Sequence, residues 1–194
     1  MEFPNKRKQI LDTAATLFYE KGVKEVGIDE IIRSANVAKM TLYKNFSSKD
    51  QLIAEVMKEI SSDWISWFEE NTNLQEQSES DPYKEVLFIL NIIEKWFRKD
   101  SFHKCPFSSI AIEIGNSEHP AYPACLQPMY HVESYLTSRL NHLPEPSRSE
   151  LIDQIRVLVK GCLLTANLEG PNKAIESVYT AKKIAANITK TNYS

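Results

Sequence analysis

Residues 28–50 read IDEIIRSANVAKMTLYKNFSSKD and carry the strongest structural pattern in the chain. Three isoleucines in the first part of this stretch fall on one face of a short helix. Asn36 follows that helix, and asparagine tolerates the left-handed backbone that a sharp turn requires. The second part places Leu42 and Phe46 four residues apart, so both point inward from a second short helix. The stretch therefore predicts a helix-turn-helix.

A helix-turn-helix presents its second helix to the major groove of DNA. Lys39 lies in the first turn of that helix, where its ammonium group can meet a phosphate or a guanine edge. Thr41 and Tyr43 offer hydroxyl groups to phosphate oxygens. Lys49 opens the next helix, whose unpaired N–H groups also favour phosphate. The predicted DNA-contacting residues are Lys39, Met40, Thr41, Tyr43, Lys44, Asn45 and Lys49.

Residues 37–46, VAKMTLYKNF, followed by Ser48-Lys49 and Leu52, resemble the TetR/AcrR-type bacterial transcriptional regulators. The pattern of that family is Val-Ser-x-Gly-Thr-Leu-Tyr-x-His-Phe and then Ser-Lys-x-x-Leu, and the likeness extends over residues 8–56. It implies an all-α fold with an N-terminal three-helix DNA-binding domain and a C-terminal helical bundle. In the family that bundle binds a ligand and forms a dimer.

The chain departs from this family pattern at four positions. Met40 stands where the family has glycine, so the backbone cannot approach DNA as closely there, although methionine could contact a thymine methyl group. Ala38 and Gly27 stand where serine or threonine would cap the two short helices. Asn45 replaces the usual histidine, and its amide can still donate to phosphate. These departures alter the expected operator preference rather than the expected fold.

The composition favours a helical protein with a local, not global, nucleic-acid surface. The chain has 194 residues, a formal net charge of −3 and only 5 glycines. Residues 1–50 hold nine Lys and Arg against seven Asp and Glu, while residues 51–194 hold fourteen against nineteen. Because no basic field covers the whole protein, DNA contact must be confined to a small surface. The N-terminal Lys/Arg cluster is either a solvated terminus or an arm that reaches phosphate.

The sequence lacks the motifs that are typical of metal-binding proteins, membrane proteins and several classes of enzyme. Cys105, Cys125 and Cys162 have no zinc-type spacing, so neither a metal nor another cofactor is predicted. No apolar run approaches the length of a membrane span, which predicts a cytoplasmic protein with no membrane partner. No Gly-rich phosphate loop, HExxH or GxSxG motif occurs, and no catalytic residue is predicted. Cys105 could sense thiol-reactive compounds, or it could be an inert buried cysteine.

Two domains are predicted, a DNA-binding domain at residues 1–50 and a ligand-binding and dimerisation domain at residues 51–194. A linking helix starts at about residue 48, where Ser48 and Gln51 form a capping box. Residues 71–80 are polar and predict a loop. Other predicted helix signals are a cap at Asn5, a left-handed cap at Gly22, a start at Asp81-Pro82, a helix over 105–114, a turn or helix start over 119–128, a helix over 130–143 and a second capping box over 147–150.

The last two helices carry long apolar stripes with small residues, which suits close helix packing. The family resemblance implies that they pair with the same helices of a second copy as a four-helix interface. The alternative is that both stripes serve only the core of a single chain. A homodimer is favoured because palindromic operators are read by two-fold symmetric proteins.

Aromatic residues at helical spacing in the second domain suggest a small-molecule site, although each ring could simply fill the core. Cys105, Ser109 and Glu113 share one face of a short helix, and a carboxylate there is costly to bury without a partner. Glu113 could therefore face either a pocket or solvent. The predicted ligand-binding residues are Trp64, Phe68, Phe88, Trp96, Cys105, Phe107, Ser109, Glu113 and Tyr130.

Together these features predict a repressor that occupies a palindromic double-stranded operator as a homodimer and is released by a small-molecule inducer. The alternative is a helical ligand-binding protein whose head has lost DNA contact, because Gly27, Ala38 and Met40 depart from the family pattern.

Overall fold

The computed structural model describes residues 5–73 and 81–192. These residues form nine α-helices and no β-strand, which confirms the all-α prediction for the described chain. The helices are α1 Lys6–Lys21, α2 Ile28–Ser34, α3 Lys39–Asn45, α4 Lys49–Thr72, α5 Pro82–Phe97, α6 Pro106–Ile114, α7 Tyr122–Arg139, α8 Ser147–Glu169 and α9 Pro171–Asn192. None of these helices combines the length and the apolarity needed to cross a membrane. The predicted loop over 71–80 lies mostly outside the described residues.

The chain divides into two compact units. The head unit comprises Met1–Trp64 and Pro106–Gln127, and the body unit comprises Ile65–Cys105 and Pro128–Ser194. Helix α4 contributes residues to both units, so the boundary predicted at residue 50 falls near the start of a continuous helix. The assignment of DNA binding to residues 1–50 and of ligand binding to the remainder stays a prediction, because compactness does not test function.

The core of the head unit joins the first three helices. Helix α1 packs against α2 and α3, and α2 packs against α3. Leu42 and Phe46 are 0% and 1% exposed, as their spacing predicts. Asn36 has a φ of 47°, so the turn between α2 and α3 does use a left-handed residue. The periodicity of this short stretch was sufficient to predict both helices and the turn.

Three predicted helix starts are confirmed by their hydrogen bonds. The side chain of Asn5 accepts from the backbone N–H groups of Arg7 and Lys8, and that of Asp81 accepts from Tyr83. Ser48 Oγ accepts from the N–H of Gln51 at 3.0 Å. The return bond of this capping box differs from the expected one, because Gln51 Oε1 accepts from the N–H of Ser47 at 2.6 Å.

The structure corrects two predictions about helix termini, the C-terminus of α1 and the N-terminus of α8. Gly22 has φ 91° and ψ 157°, which is a backbone region open to glycine but outside the left-handed helical region. The second capping box is wrong, since α8 already includes Ser147 and the N-cap position is Pro146, which has no capping side chain. Instead Glu145 Oε2 accepts from the N–H of Ser149 at 3.2 Å. A carboxylate just before the helix thus satisfies one N–H of the first turn, while the N–H of Glu150, which the predicted box assigned to Ser147, donates to the carbonyl oxygen of Pro146 at 3.0 Å.

Helix α7 starts earlier than the predicted helix over 130–143. It runs from Tyr122 to Arg139 with Pro128 inside it, so the helix-start alternative for residues 119–128 is the correct one. Proline costs a helix one hydrogen bond and some crowding. Pro128 is buried in the body unit, which offsets that cost. Sequence periodicity alone could not show that burial.

Helix α5 is the centre of the body unit. It packs against both α8 and α9, which also pack against each other. Its buried residues lie on more than one face, which confirms the central position predicted from its apolar pattern.

Candidate functional site

The outward face of α3 carries the predicted DNA-contacting groups. Met40 is 85% exposed and Tyr43 is 47% exposed, while Leu42 on the opposite face is fully buried. Lys39 and Lys44 are also exposed, and Thr41, Asn45 and Lys49 are half-buried. The helix is therefore held from one side and presents ammonium, hydroxyl and thioether groups on the other.

Neither short helix has a side-chain cap. Gly27 precedes α2 and Ala38 precedes α3, and neither position supplies a capping hydrogen bond. This agrees with the expectation drawn from the two departures from the family pattern.

Asn45 is partly engaged within α3. Its Nδ2 donates to the carbonyl oxygen of Thr41 at 2.7 Å. Because an amide nitrogen has two hydrogens, one of them remains for an outside acceptor.

Acidic side chains of α2 lie close to cations of the neighbouring helices. Lys39 Nζ is 3.6 Å from Asp29 Oδ1, and Lys21 Nζ is 2.6 Å from Glu30 Oε1. The ammonium group of Lys21 lowers the pKa of the Glu30 carboxyl. Both pairs are solvent-exposed, so each contributes little to stability.

The N-terminal basic cluster is paired with acidic residues of α1 and α4. The Arg7 guanidinium is 2.8 Å from Glu55 Oε2, and it lies 5.1 Å from the ring centroid of Phe46. Lys8 pairs with Asp12 and Glu59, which raise the pKa of its ammonium group. These contacts favour a terminus that is neutralised inside the head unit over a free arm.

Residues 10–56, which include the helix-turn-helix, match the family model described as bacterial regulatory proteins, tetR family. Over 164 residues the chain is 29% identical to the uncharacterized HTH-type transcriptional regulator YvkB of Bacillus subtilis (strain 168). That match covers 82% of this chain and 71% of YvkB. The N-terminal part of the chain belongs to the TetR family of transcriptional regulators. As a member of this family it is a DNA-binding protein, which agrees with the exposed face of α3.

Two further proteins resemble this TetR-type regulator. The HTH-type transcriptional repressor KstR2 of Mycolicibacterium smegmatis is 34% identical over 61 residues, which cover 31% of this chain but only 29% of KstR2. A TetR transcriptional regulator (sav143) from Streptomyces avermitilis has a similar structure, with a TM-score of 0.76 and 21% identity. That structural match covers 97% of this chain and 98% of the other, and it shows a shared fold.

The predicted ligand-binding residues are divided between the two units of this regulator. In the head unit, Trp64 and Phe107 are both buried and meet edge to face, with ring centroids 6.1 Å apart. The body unit contains Phe68, Phe88, Trp96, Cys105 and Tyr130. Trp96 packs against Phe97 and Phe102. Tyr130 is 57% exposed at the surface of α7.

Tyr135, which was not predicted, joins two of the predicted aromatic residues. Its ring centroid lies 5.7 Å from that of Phe68 and 6.4 Å from that of Phe88. His131, one turn earlier on α7, packs edge-on against Phe68 at 5.6 Å. The helix predicted over 130–143 already placed His131 and Tyr135 on one face, but the sequence could not show that this face meets Phe68 of α4 and Phe88 of α5.

A buried ion pair lies next to this aromatic cluster. Glu85 is 2% exposed, and its two carboxylate oxygens accept from Arg139 Nε at 3.1 Å and Nη2 at 2.7 Å. Burial and the negative charge of Glu85 raise the pKa of the Tyr135 hydroxyl. The spacing of Glu85 from the apolar residues of α5 signals a buried position, because Ile89 lies one turn later on the same face.

The three polar residues predicted to bind a ligand, Cys105, Ser109 and Glu113, differ in their burial and in their hydrogen-bond partners. The Glu113 side chain is half-buried, and its carboxylate accepts from the N–H of Val23 at 2.7 Å within the head unit. Cys105 is buried, and its backbone N–H donates to Asn167 Oδ1 at 2.7 Å. Ser109 is half-buried on α6. Within residues 5–73 and 81–192, no three His, Cys, Asp or Glu side chains converge on a position that could hold a metal ion.

Proposed function

We propose that this regulator is a repressor that occupies a palindromic operator as a homodimer and is released by a small-molecule inducer. The observation that carries the proposal is the outward face of α3, where Met40 and Tyr43 are exposed while Leu42 anchors the helix. Repression is supported by the short similarity to KstR2, which is named as a repressor.

Each exposed group of α3 has a role in this proposal. Lys39 and Lys44 neutralise phosphates or read guanine, and Tyr43 donates its hydroxyl to a phosphate oxygen. Met40 contacts the methyl group of thymine, because its thioether chain projects freely from the helix. Thr41 and Asn45 contribute shorter donors, and Lys49 adds charge at the start of α4.

Binding of the wild-type protein to the DNA that flanks its own gene tests this function directly. We expect specific binding whose affinity falls steeply with salt, with a log–log slope of about 0.9 for each phosphate neutralised. Fluorescence anisotropy over a range of potassium chloride concentrations measures the slope, and a scrambled duplex of equal length is the control. Equal binding to both duplexes, or a flat salt response, would favour the alternative of a ligand-binding protein with an inactive head.

An exposed apolar stripe on α8 supports the homodimer. Val157, Leu164 and Leu168 are 68%, 47% and 75% exposed and fall on one line of the helix. Gly161 lies on the same line, and a Cβ there would meet no atom of any other element in the described part of the chain within 4 Å. The opposite face of α8 is already buried against the body unit, including Ile155. The helix therefore has one face for its own core and a second for another copy.

We place the inducer beside the Phe68, Phe88 and Tyr135 rings of the body unit. Stacked and edge-on rings suit a flat apolar ligand, and the Tyr135 hydroxyl and the Glu85–Arg139 pair could orient its polar groups. The other predicted ligand residues of the body unit are outside this proposed site, because Trp96 and Cys105 pack elsewhere in the interior and Tyr130 is 57% exposed on α7.

Replacement of Phe88 by alanine should weaken induction without abolishing operator binding. A compound selected from an aromatic library for releasing the wild-type complex is titrated against each variant in the anisotropy assay. Since a stacked ring contributes about 0.5–1.5 kcal/mol beyond its buried area, we expect at least a tenfold higher concentration for half-release. Tyr130→Ala, an exposed ring on α7, is the control. An unchanged titration for the Phe88 variant would remove this cluster as the inducer site.

A further inference from the structure

Helix α6 belongs to the head unit, and its Glu113 binds the corner that connects α1 to α2. The carboxylate oxygen Oε2 accepts from the N–H of Val23 at 2.7 Å and from the N–H of Lys24 at 3.3 Å. These partners are separated from Glu113 by 90 and 89 residues in sequence. A distant carboxylate therefore satisfies two consecutive donors of the chain immediately before the helix-turn-helix.

Gly22 makes this close approach possible. Its φ of +91° is a conformation that other residues rarely adopt. A Cβ at this position would lie 2.7 Å from Glu113 Oε2 and 2.8 Å from Oε1. The absence of a side chain at Gly22 thus leaves the space that the carboxylate of Glu113 occupies.

The corner also connects with the core of the head unit. Val23 and Val26 are 3% and 0% exposed, so both ends of the short connection are anchored by apolar side chains. The polar N–H groups between these anchors need partners when they leave helical structure. Charge-assisted bonds to a carboxylate are about twice as strong as neutral ones. Glu113 is therefore the polar component that holds the corner in one conformation.

A second contact reaches the other side of the helix-turn-helix. His119 Nδ1 accepts from the N–H of Ala121 at 3.1 Å, which places the proton of a neutral ring on Nε2. His119 Nε2 lies 3.4 Å from Asp50 Oδ1 in the first turn of α4. Residues of one segment thus contact the chain just before α2 and just after α3.

We propose that Glu113 is a positioning residue for operator binding. It fixes the α1–α2 corner, and thereby the orientation of α2 beneath the recognition helix α3, while His119 steadies the start of α4. The proposal rests on the operator binding proposed above. Glu113 does not touch DNA in this scheme; it acts through the backbone of residues 22–24.

The direction of the effect separates positioning from simple electrostatics. Removing a negative charge from a DNA-binding protein should strengthen binding to an anionic duplex. We expect the opposite for Glu113→Ala, which should bind the operator about tenfold more weakly because two charge-assisted hydrogen bonds are lost. Glu113→Gln, which keeps an acceptor oxygen without the charge, should lie between the alanine variant and the wild type.

Glu118→Ala is the matched control, because Glu118 is an exposed carboxylate on the connection between α6 and α7. It removes the same charge from the same segment, and its operator affinity should equal or slightly exceed that of the wild type. Amide hydrogen exchange gives a second readout. Exchange at Val23 and Lys24 should accelerate in Glu113→Ala and stay unchanged in Glu118→Ala. Circular dichroism confirms folding, and Glu113→Gln replaces the alanine variant if that variant does not fold.

The outcomes are distinguishable. If the wild-type protein binds the operator and both Glu113 variants bind it with the same affinity, this inference is overturned while the proposed function stands. Faster exchange at Val23 without any loss of operator affinity overturns it as well, since the corner would then be held without consequence for DNA. Wild-type protein that binds no DNA overturns the proposed function and this inference with it.

Discussion

Replacing Tyr43 by alanine is expected to weaken operator binding about 100-fold or more while leaving the protein folded. A hydrogen bond to a charged group is worth about 1.5–3 kcal/mol. A symmetric dimer loses one such bond in each subunit, and every 1.4 kcal/mol is about tenfold in affinity. Folding should survive, because the Tyr43 side chain is 47% exposed and Leu42 supplies the buried contact of α3.

Fluorescence anisotropy with operator DNA measures this loss, and Tyr130→Ala serves as the control. Tyr130 is a comparably exposed tyrosine on α7, so its removal should leave operator affinity at the wild-type value. Tyr43→Phe adds a finer comparison, since it retains the ring and removes only the hydroxyl. Wild-type affinity in Tyr43→Ala would contradict the assignment of α3 as the recognition helix.

The substitution Leu164→Glu is expected to convert the dimer into monomers and thereby to abolish tight operator binding. Leu164 lies in the exposed apolar stripe of α8, and its place in the monomer tolerates a polar side chain. In the proposed interface the same carboxylate would be buried against its symmetry-related copy, which is strongly unfavourable without a partner. Loss of bivalency should reduce operator affinity by roughly 100-fold to 10,000-fold.

Sedimentation equilibrium gives the oligomeric state, and the anisotropy assay gives the operator affinity of the same samples. Ile112→Glu is the matched control, because Ile112 is an apolar residue of α6 with 65% exposure outside the α8 stripe. That variant should remain a dimer. A Leu164→Glu protein that sediments like the wild type would show that α8 does not form the interface.

The sequence was most informative where the determinants of structure are local. The i, i+4 spacing of Leu42 and Phe46 specified the inner face of α3, and Asn36 specified the turn before it. Asn5 and Asp81 likewise predicted the starts of α1 and α5, since a capping side chain binds donors only two or three residues away. The resemblance to the TetR-type regulators lies in residues 8–56, and these residues were therefore sufficient to predict a DNA-binding protein.

Prediction was weaker where a distant partner decides the outcome. Tyr135 was overlooked because its place in the ring cluster depends on contacts with Phe68 of α4 and Phe88 of α5, which helical periodicity does not reveal. The second capping box was wrong because Glu145, not Ser147, reaches the first turn of α8. In both cases tertiary packing or a neighbouring side chain outweighed the local pattern.

The amino-acid sequence by itself determined the helical fold, the helix-turn-helix and the outward chemistry of α3, because each depends on residues within one or two helical turns. Only the tertiary structure decided where Glu113 points. A carboxylate on an apolar helix must find a partner, but periodicity does not reveal which one. The partner proved to be the backbone at Val23, brought beside α6 by folding of the head unit.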